Sequence, residues 1–321
     1  DSRADAEAYL KAVLGNYYDA EKIGAFLDNA PEMLRYMEQN SEVLLTGSTI
    51  PDYTPDAPGW KTSRCLLTAD YDGSSLGSAF DALRPPIPEM GLFHSMQVSP
   101  ADAYRMQHWT SSLGNLFFTI KRMGSYALDR LSGRRGRHLA NGNALAGRLL
   151  KSAIDAGVNL RNKTSARELV LEDGRVTGVV VEHDGRRETI KARKGVILAS
   201  GGFGANAEMR RKFLPQADDG WSVQPEGSQG DGINIGVKVG ATLDETNAAN
   251  GIWVPASAYT RDDGSLAKFP SLAFDRHCPG SIMVDARTGK RFVDESFHYQ
   301  NFGETRREKG ITKIWMIRDG A

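Results

Sequence analysis

Residues 195–206 read Gly-Val-Ile-Leu-Ala-Ser-Gly-Gly-Phe-Gly-Ala-Asn, and this stretch decides the fold. Its apolar run, Val196–Ala199, predicts a buried strand. The Ser-Gly-Gly that follows lets the main chain adopt positive φ and approach a ligand closely. Residues 205–214 predict a helix, so the glycines lie between a strand end and a helix N-terminus. Such a junction favours anions; an ordinary tight turn is the alternative interpretation.

The residues before this stretch predict a three-stranded antiparallel meander. Its strands are separated by two Asp-Gly pairs, which are typical of hairpin turns: Arg167–Glu172, Arg175–Glu182 and Arg186–Ala192. A helix over 143–157 and a short parallel strand over 158–161 precede the meander, and the 196–199 strand follows it. This order is typical of a dinucleotide-binding domain with an inserted meander, so the predicted fold class is α/β (α+β).

Elsewhere the pattern predicts helices in the first 140 residues and short elements after residue 230. The predicted helices are a Ser2-capped one ending at Leu14, Glu21–Leu27, Pro31–Glu38, a Ser99-capped one ending near Trp109, and Leu116–Leu131. The turn-rich stretch Val43–Cys65 predicts little regular structure. The later elements are a glycine turn at 230–232 opening a short helix, a hairpin of Ser281–Asp285 with Lys290–Asp294, and a strand over Lys313–Ile317.

Composition excludes several classes of function. The 321 residues carry 40 basic and 40 acidic side chains, which leaves no electrostatic footprint for nucleic acid. Two cysteines make no disulfide framework and predict a reducing compartment, the cytoplasm. No apolar run reaches the length of a membrane span, and no metal-ligand spacing occurs. The basic stretch from Arg130 through Arg134, Arg135 and Arg137 to His138 is expected to be a solvated loop, with a phosphate contact or a partner surface as alternatives.

In chain order, these motifs resemble the FAD-dependent flavoprotein superfamily of fumarate reductase and succinate dehydrogenase, and within it the 3-ketosteroid dehydrogenase branch. The matching segments are Pro51–Gly59, Gly142–Arg148, Thr164 with Glu172–Val176, Ala199–Phe203, Gly230–Gly232, Pro279–Val284 and Lys290–Glu295. The resemblance implies a partial FAD-binding domain over 1–252, with a helical region over 1–140 and the meander over about 158–192. It implies part of a substrate-binding cap over 253–321.

The family's GxGxxG fingerprint would lie upstream of Asp1, and its last segment beyond Ala321. We therefore expect this chain to be a piece of a longer protein and to be inactive alone. The resemblance places FAD along backbone segments in which glycine lets a dianion lie close to the main chain. Its expected contacts are Ala166, Ala199, Ser200, Gly201, Gly202, Phe203, Asn206, Gly230, Asp231 and Gly232. For the 230–232 turn, a simple loop is the alternative.

The resemblance also implies two catalytic residues, Tyr299 and Tyr53. Tyr299 stands where fumarate reductases carry a proton-donating arginine and steroid dehydrogenases a tyrosine general base. Because a tyrosine is a weak base near neutral pH, its anion needs hydrogen bonds or positive charge nearby. His298 and Arg276 are candidates for both, if the fold brings them close. A half-buried aromatic residue without chemistry is the alternative for Tyr299.

Three functions follow for the full-length protein. The first is an FAD-dependent enzyme that introduces a carbon–carbon double bond next to the ketone of a 3-ketosteroid or similar cyclic ketone, passing electrons to an external acceptor. Thr54, where relatives carry a second aromatic residue, leaves the steroid open. The second is a fumarate-like or enoate reductase, with Arg276, Arg287 and Arg291 as carboxylate ligands. The third is a non-catalytic ligand-binding remnant. His277 and Cys278 have no partner pattern for a nucleophile.

Overall fold

The computed structural model describes residues 2–93, 95–133, 135–214, 222–247, 249–271, 276 and 280–319. The chain divides into two compact units, Asp1–Leu160 and Arg161–Ala321. Each unit is described by itself below. Arg134, His277 and Cys278, which the sequence singled out, lie outside the described residues.

The first unit is mainly helical. Its helices are α1 (Arg3–Leu14), α2 (Ala20–Asn40), α3 (Pro100–Gln107), α4 (Leu113–Leu131) and α5 (Asn141–Asp155). Its short strands are β1 (Leu45–Gly47), β2 (Leu66–Thr68), β3 (Tyr71–Asp72) and β4 (His138–Leu139). β1 pairs with β2 and β3 with β4, both antiparallel. The apolar core comprises Tyr71, Leu76, Phe80, Leu83, Leu139 and Ala144.

Side-chain caps set the predicted helix starts. The Ser2 hydroxyl accepts from the Asp5 N–H at 3.3 Å, and the Ser99 hydroxyl accepts from the Asp102 N–H at 3.3 Å. Each bond satisfies one of the amides that a helix start leaves without an intrahelical partner. At the other end of α1, Gly15 adopts a φ of 54°. Both cap predictions are confirmed.

The prediction of two helices on either side of Pro31 is wrong, because α2 runs through the proline as one helix. Its partly buried positions are 23, 24, 27, 30, 34 and 37, so the helical period continues unbroken across residue 31. Pro31 itself is exposed. Continuous packing of one face therefore outweighs the backbone hydrogen bond that a proline removes.

Part of the predicted solvated loop is held by partners: Arg130 is exposed, but Arg135, Arg137 and His138 are partly buried. Arg135 donates to the Leu83 carbonyl at 2.6 Å, and Arg137 forms an ion pair with buried Asp129 at 2.7 Å. His138 bonds Asp70. These charges tie the stretch to its own unit because their partners are inward-facing carbonyls and carboxylates.

The second unit contains the predicted meander. Its strands are β5 (Ser165–Glu172), β6 (Arg175–His183), β7 (Arg186–Lys191), β8 (Ala256–Thr260), β9 (Leu266–Pro270), β10 (Ser281–Asp285) and β11 (Ile314–Arg318). Its helices are α6 (Ala207–Phe213), α7 (Asp231–Lys238) and α8 (Tyr299–Glu308). β5, β6 and β7 form one antiparallel sheet. Both residues of each Asp-Gly turn have φ between 47° and 76°, as a type I′ hairpin turn requires.

The two predicted parallel strands are not formed. Residues 158–161 and 196–199 have no strand structure, and all strand pairs between described residues are antiparallel. Ile197 is 92% exposed. A strand exists only where a neighbour completes its ladder, and no described strand lies beside this apolar run. The outcome is an α+β architecture of helices and small antiparallel sheets.

The predicted hairpin near residue 286 is replaced by a different strand pairing. β10 pairs antiparallel with β11, and the 290–294 segment contributes only an isolated bridge between Val284 and Arg291. Met283, Val293 and Phe302 form a small core beneath this sheet. That core holds the start of α8, where the sequence placed its catalytic tyrosine. None of the helices formed by described residues is both long enough and apolar enough to cross a bilayer.

Candidate functional site

The two glycine segments predicted from the sequence lie side by side. We call residues 199–206 and 227–232 together the glycine cradle. The Gly230 N–H donates to the Gly202 carbonyl at 3.0 Å, and the Gly232 N–H donates to the Ser200 hydroxyl at 3.0 Å. The Ala205 N–H donates to the Ser228 carbonyl at 2.9 Å. The structure therefore joins segments that are about thirty residues apart in sequence.

Gly230 and Gly202 have different surroundings in the cradle. Gly230 has a φ of 79°, and a Cβ there would overlap the Met209 sulfur and lie 3.1 Å from the Phe203 Cβ. At Gly230 the protein itself excludes a side chain. At Gly202 nothing lies within 4 Å of the position that a Cβ would take. Protein packing thus gives no reason for the glycine at 202, whereas a ligand against this backbone does.

Asn206 links the cradle to α6. Its side-chain oxygen accepts from the Met209 N–H at 3.0 Å and caps the helix, while its amide nitrogen donates to the Gln229 carbonyl at 2.9 Å. The anion site that the sequence predicts at the start of α6 is therefore occupied in part by the side-chain oxygen of Asn206 itself. α7 differs, because its cap is Gly230 in the left-handed region, which has no side chain to bond the first amides, and the Gly232 amide is bonded instead by the Ser200 hydroxyl of the other segment.

A first cleft, of about 350 Å³, brings two further predicted positions together. Ala166 on β5 lies on one side of it, and Asp231 at the start of α7 lies on the other. Both positions are among the expected cofactor contacts. The remaining wall is largely polar and charged, with Arg167, Glu168, Arg187, Asn234 and Lys238. Such a wall suits the polar end of a nucleotide.

A second and larger cleft, of about 670 Å³, connects the cradle with α8. Phe203 lines it from the cradle, and His298 and Gln300 line it from the first turn of α8. Apolar side chains, including Phe213, Ile233, Leu243 and Ile252, form much of the remaining wall. The rest of its wall is largely polar and includes the carboxylates of Asp244, Glu245 and Glu304, so the cleft combines apolar and polar groups, as small-molecule sites do.

Tyr299 is the first residue of α8 and is partly buried. The Arg276 guanidinium lies over its ring, 4.6 Å from the centroid. Arg276 is 1% exposed and donates to the Glu295 carbonyl at 2.8 Å and to the Phe297 carbonyl at 3.2 Å. The fold therefore brings a buried positive charge against the face of this ring, and the role of Tyr299 as a base stays a prediction.

His298 lies beside Tyr299, with ring centroids 6.2 Å apart. Its Nδ1 accepts from the Gln300 N–H at 3.1 Å, so the neutral ring carries its proton on Nε2. Burial lowers the pKa of His298, and the charge of Arg276 lowers it further, although Glu304 opposes both. The imidazole beside Tyr299 is therefore neutral at physiological pH.

The arginines proposed as ligands for a substrate carboxylate are engaged elsewhere. Arg291 forms an ion pair with Glu295, whose Oε1 also accepts from the Met283 N–H at 2.6 Å. Burial acts to raise the pKa of Glu295, but the Arg291 hydrogen bond and the Met283 amide outweigh it and lower that pKa. Arg287 lies 3.8 Å from Asp285. These contacts fix the loop before α8.

Tyr53 lies in the first unit, on a loop organised by Asp52. The Asp52 carboxylate accepts from the Lys61 N–H at 3.1 Å and binds Arg64, while its carbonyl accepts from the Trp60 indole at 2.8 Å. The loop displays Tyr53, which is 46% exposed. Tyr53 and Tyr299 belong to different units, so their joint action stays a prediction.

The sequence analysis missed a polar cluster in the first unit. His138 Nε2 lies 3.0 Å from Asp70 and 3.8 Å from Asp102. The three side chains are close enough to share a metal ion. Arg122 already supplies Asp102 with positive charge at 3.1 Å, so an ion-pair network accounts for the grouping. Asp70 and His138 are 68 residues apart, and no spacing motif signals the pair.

The FAD binding domain family matches residues 1–318. The chain belongs to this family. The predicted superfamily and the predicted cofactor, FAD, are thereby confirmed. The open backbone at Gly202 and the two clefts beside the cradle fit such a cofactor, since they leave room where the protein has no side chain of its own.

Several curated relatives are dehydrogenases of cyclic ketones. The 4-oxocyclohex-2-ene-1-carboxylate 5-dehydrogenase of Sinomonas cyclohexanicum is 34% identical over 94% of this chain and 52% of its own length. The 3-oxosteroid 1-dehydrogenase of Mycolicibacterium smegmatis is 33% identical over 93% and 52%. The chain thus spans about half the length of the curated relatives it matches.

A solved structure extends the comparison to three dimensions. The 3-ketosteroid Δ1-dehydrogenase of Sterolibacterium denitrificans, crystallised with 1,4-androstadiene-3,17-dione, matches with a TM-score of 0.84 and 30% identity. The match covers 100% of this chain and 58% of that one. The α+β fold described above therefore matches part of the fold of that ketosteroid dehydrogenase.

Proposed function

We propose that the full-length protein is an FAD-dependent dehydrogenase that introduces a carbon–carbon double bond next to the ketone of a ring. The observation that carries this proposal is the Arg276 guanidinium over the ring of Tyr299, beside a cleft that leads to the glycine cradle. In this proposal residues 1–252 belong to the FAD-binding domain and residues 253–321 to the substrate cap. We place the enzyme in the cytoplasm, which the low cysteine content supports.

In this scheme the cradle and the first cleft hold the cofactor. Gly202 offers backbone without a side chain to the pyrophosphate, and Ala166 and Asp231 line the cleft for the adenosine end. Ala199, Ser200, Gly201, Phe203, Asn206, Gly230 and Gly232 complete the proposed contacts. Ser200 and Asn206 act by fixing the cradle, since their side chains bond its backbone. FAD, when bound, supplies a two-electron acceptor for hydride.

Tyr299 is the proposed general base. Its phenolate would remove a proton from the carbon next to the ketone, and the buried charge of Arg276 is the stabilising partner that such an anion needs. Because the His298 ring beside it is neutral, the positive charge near Tyr299 is that of Arg276. Tyr53 stays a proposed catalytic residue, which the resemblance alone implies.

The proposed substrate is a cyclic ketone, which could be a steroid or a single ring. Relatives that match this chain act on a steroid and on a six-membered ring that carries a carboxylate. We favour the uncharged ketone, because Arg287 and Arg291 are beside Asp285 and Glu295, and Arg276 stacks on Tyr299. The same arginine contacts weigh against a fumarate-like reductase, because such an enzyme would use these arginines to bind the carboxylates of its substrate.

The test is the Tyr299→Phe variant of the full-length protein, with Tyr259→Phe as matched control. Tyr259 is a half-exposed tyrosine on β8 of the same unit. Turnover is followed by reduction of a dye with a 3-ketosteroid and with 4-oxocyclohex-2-ene-1-carboxylate. Tyr299→Phe should lower kcat by about 10²- to 10⁴-fold without changing flavin absorbance, whereas the control should keep its rate.

Three results would contradict the proposal. Near-native turnover of Tyr299→Phe with the better ketone would remove the tyrosine from the chemistry. Fumarate-dependent oxidation of a reduced dye, without ketone-dependent bleaching, would reverse the direction of the reaction. A colourless full-length protein that takes up no FAD would leave a ligand-binding remnant.

A further inference from the structure

Helix α4 presents an apolar face to solvent. Leu113 and Leu131 are each 84% exposed, Phe117 is 71% exposed and Leu128 is 69% exposed. Together with Ile120, these residues are spaced by four, three, eight and three positions along the 19 residues of α4, so they lie on one stripe in which position 124 is a glycine. We call this stripe the α4 apolar face. A surface helix of a water-facing protein has the opposite arrangement.

The side of α4 opposite to this face carries several polar anchors, beside partly buried Leu116, Phe118 and Met123. Arg122 pairs with Asp102 at 3.1 Å and donates to the Gln97 carbonyl at 2.9 Å. The Tyr126 hydroxyl bonds the Ser95 hydroxyl at 2.9 Å, and Asp129 pairs with Arg137. Ion pairs and hydrogen bonds therefore help to hold the helix to its unit, and the residues of the α4 apolar face make no part of these contacts.

The neighbouring helix α3 extends this surface with aromatic residues. Tyr104 is 63% exposed and Trp109, just after α3, is 50% exposed. Trp and Tyr are the residues that favour the boundary between water and lipid. Arg105 of α3 packs over the Phe118 ring of α4, 3.8 Å from its centroid, and joins the two helices.

The charge around the α4 apolar face has one sign. The exposed charged residues of the stretch 100–131 are Arg105, Lys121 and Arg130. Its acidic residues are Asp102 and Asp129, and both are paired with arginines. An apolar stripe flanked by aromatic and basic residues is complementary to an interface between lipid tails and anionic head groups.

We propose that α3 and α4 dock this protein on the surface of an anionic phospholipid bilayer, with α4 lying in the plane of the interface. Phe117, Ile120 and Leu128 enter the acyl boundary, and Lys121 and Arg130 meet lipid phosphates. A second copy of the chain is a poorer occupant, because pairing two such faces would bring basic side chains of both copies together without an acid between them.

The test is flotation of the full-length FAD-loaded protein with vesicles of neutral phosphatidylcholine, alone or mixed with phosphatidylglycerol. The wild type should bind the anionic vesicles. The double substitution Phe117→Ser with Ile120→Ser should lower the partition coefficient by about tenfold or more. Lys121→Gln with Arg130→Gln should lower it by about thirtyfold on anionic vesicles and leave neutral ones unchanged.

The matched control is Phe26→Ser with Tyr36→Ser on α2, whose side chains are 60% and 62% exposed in the same unit. It should bind vesicles as the wild type does. Wild-type protein that ignores anionic vesicles would overturn the proposal. If it also forms a dimer that Phe117→Ser with Ile120→Ser converts to monomer, a second copy covers the face. If Phe117→Ser with Ile120→Ser instead loses FAD or does not fold, the rest of the polypeptide covers the α4 apolar face.

Discussion

The Gly202→Ala variant tests whether Gly202 is needed for binding of the cofactor or for the stability of the fold. No protein atom lies within 4 Å of the added methyl group, and the backbone there has no positive φ. The folded protein without flavin should therefore be unchanged or slightly more stable, by up to about 1 kcal/mol, because alanine restricts the unfolded chain. A cofactor lying against this backbone would meet the methyl group directly.

The expected loss is the cost of forcing one methyl group into an occupied contact, about 1 to 3 kcal/mol. At about 1.4 kcal/mol per factor of ten, FAD binding should weaken by about 5- to 150-fold. Flavin-dependent stabilisation in a thermal scan should shrink by the same free energy, since ligand binding stabilises the folded state through its dissociation constant.

The assay is fluorescence titration of FAD into the full-length apoprotein, with urea unfolding of the same samples. Gly195→Ala is the matched control, because Gly195 lies outside the cradle and also has no atom within 4 Å of the Cβ position. We expect the control to bind FAD like the wild type. Native FAD affinity of Gly202→Ala would refute the assignment of the cradle to the cofactor.

Three further perturbations test other parts of the structure. Gly230→Ala should lower the free energy of unfolding by about 2 to 5 kcal/mol, since it adds left-handed strain and a clash with Met209; a change under about 0.5 kcal/mol in urea unfolding would contradict it. Pro31→Ala should raise that free energy by up to about 3 kcal/mol, because α2 is helical through residue 31; a loss of stability would show that the proline is needed. The pKa of His298 is lowered in the folded state from an ordinary 6.5, so its contribution to stability is complete above about pH 6.5 and is lost as the pH falls through the folded pKa. His298→Asn, which keeps a capping side chain, should flatten this acid limb in denaturation curves, and an unchanged slope would count against the assignment.

Local signals in the sequence predicted local structure correctly. The Asp-Gly pairs at 173 and 184 fixed both turns of the meander, and Ser2 and Ser99 fixed two helix starts. Each of these features depends on residues within a few positions of one another. Pro31 is the exception, because the face that keeps α2 continuous outweighs the local signal.

Features that depend on residues far apart in the sequence could not be predicted in this way. The run at 196–199 has the composition of a strand, but a strand also needs a neighbour, which composition does not supply. The sequence named Arg276 as a partner for Tyr299, yet only the fold shows that it stacks on the ring. The His138–Asp70 pair, 68 residues apart, was missed entirely.

The reciprocal hydrogen bonds of the glycine cradle bear on how the site opens. The amides of Gly230 and Ala205 each donate to a carbonyl of the opposite segment. Local unfolding of either segment therefore breaks both hydrogen bonds. These amides should exchange with deuterium together, as one cooperative unit. A flavin would then enter a groove that is either wholly formed or wholly melted, and its binding would slow exchange at both amides by the same factor.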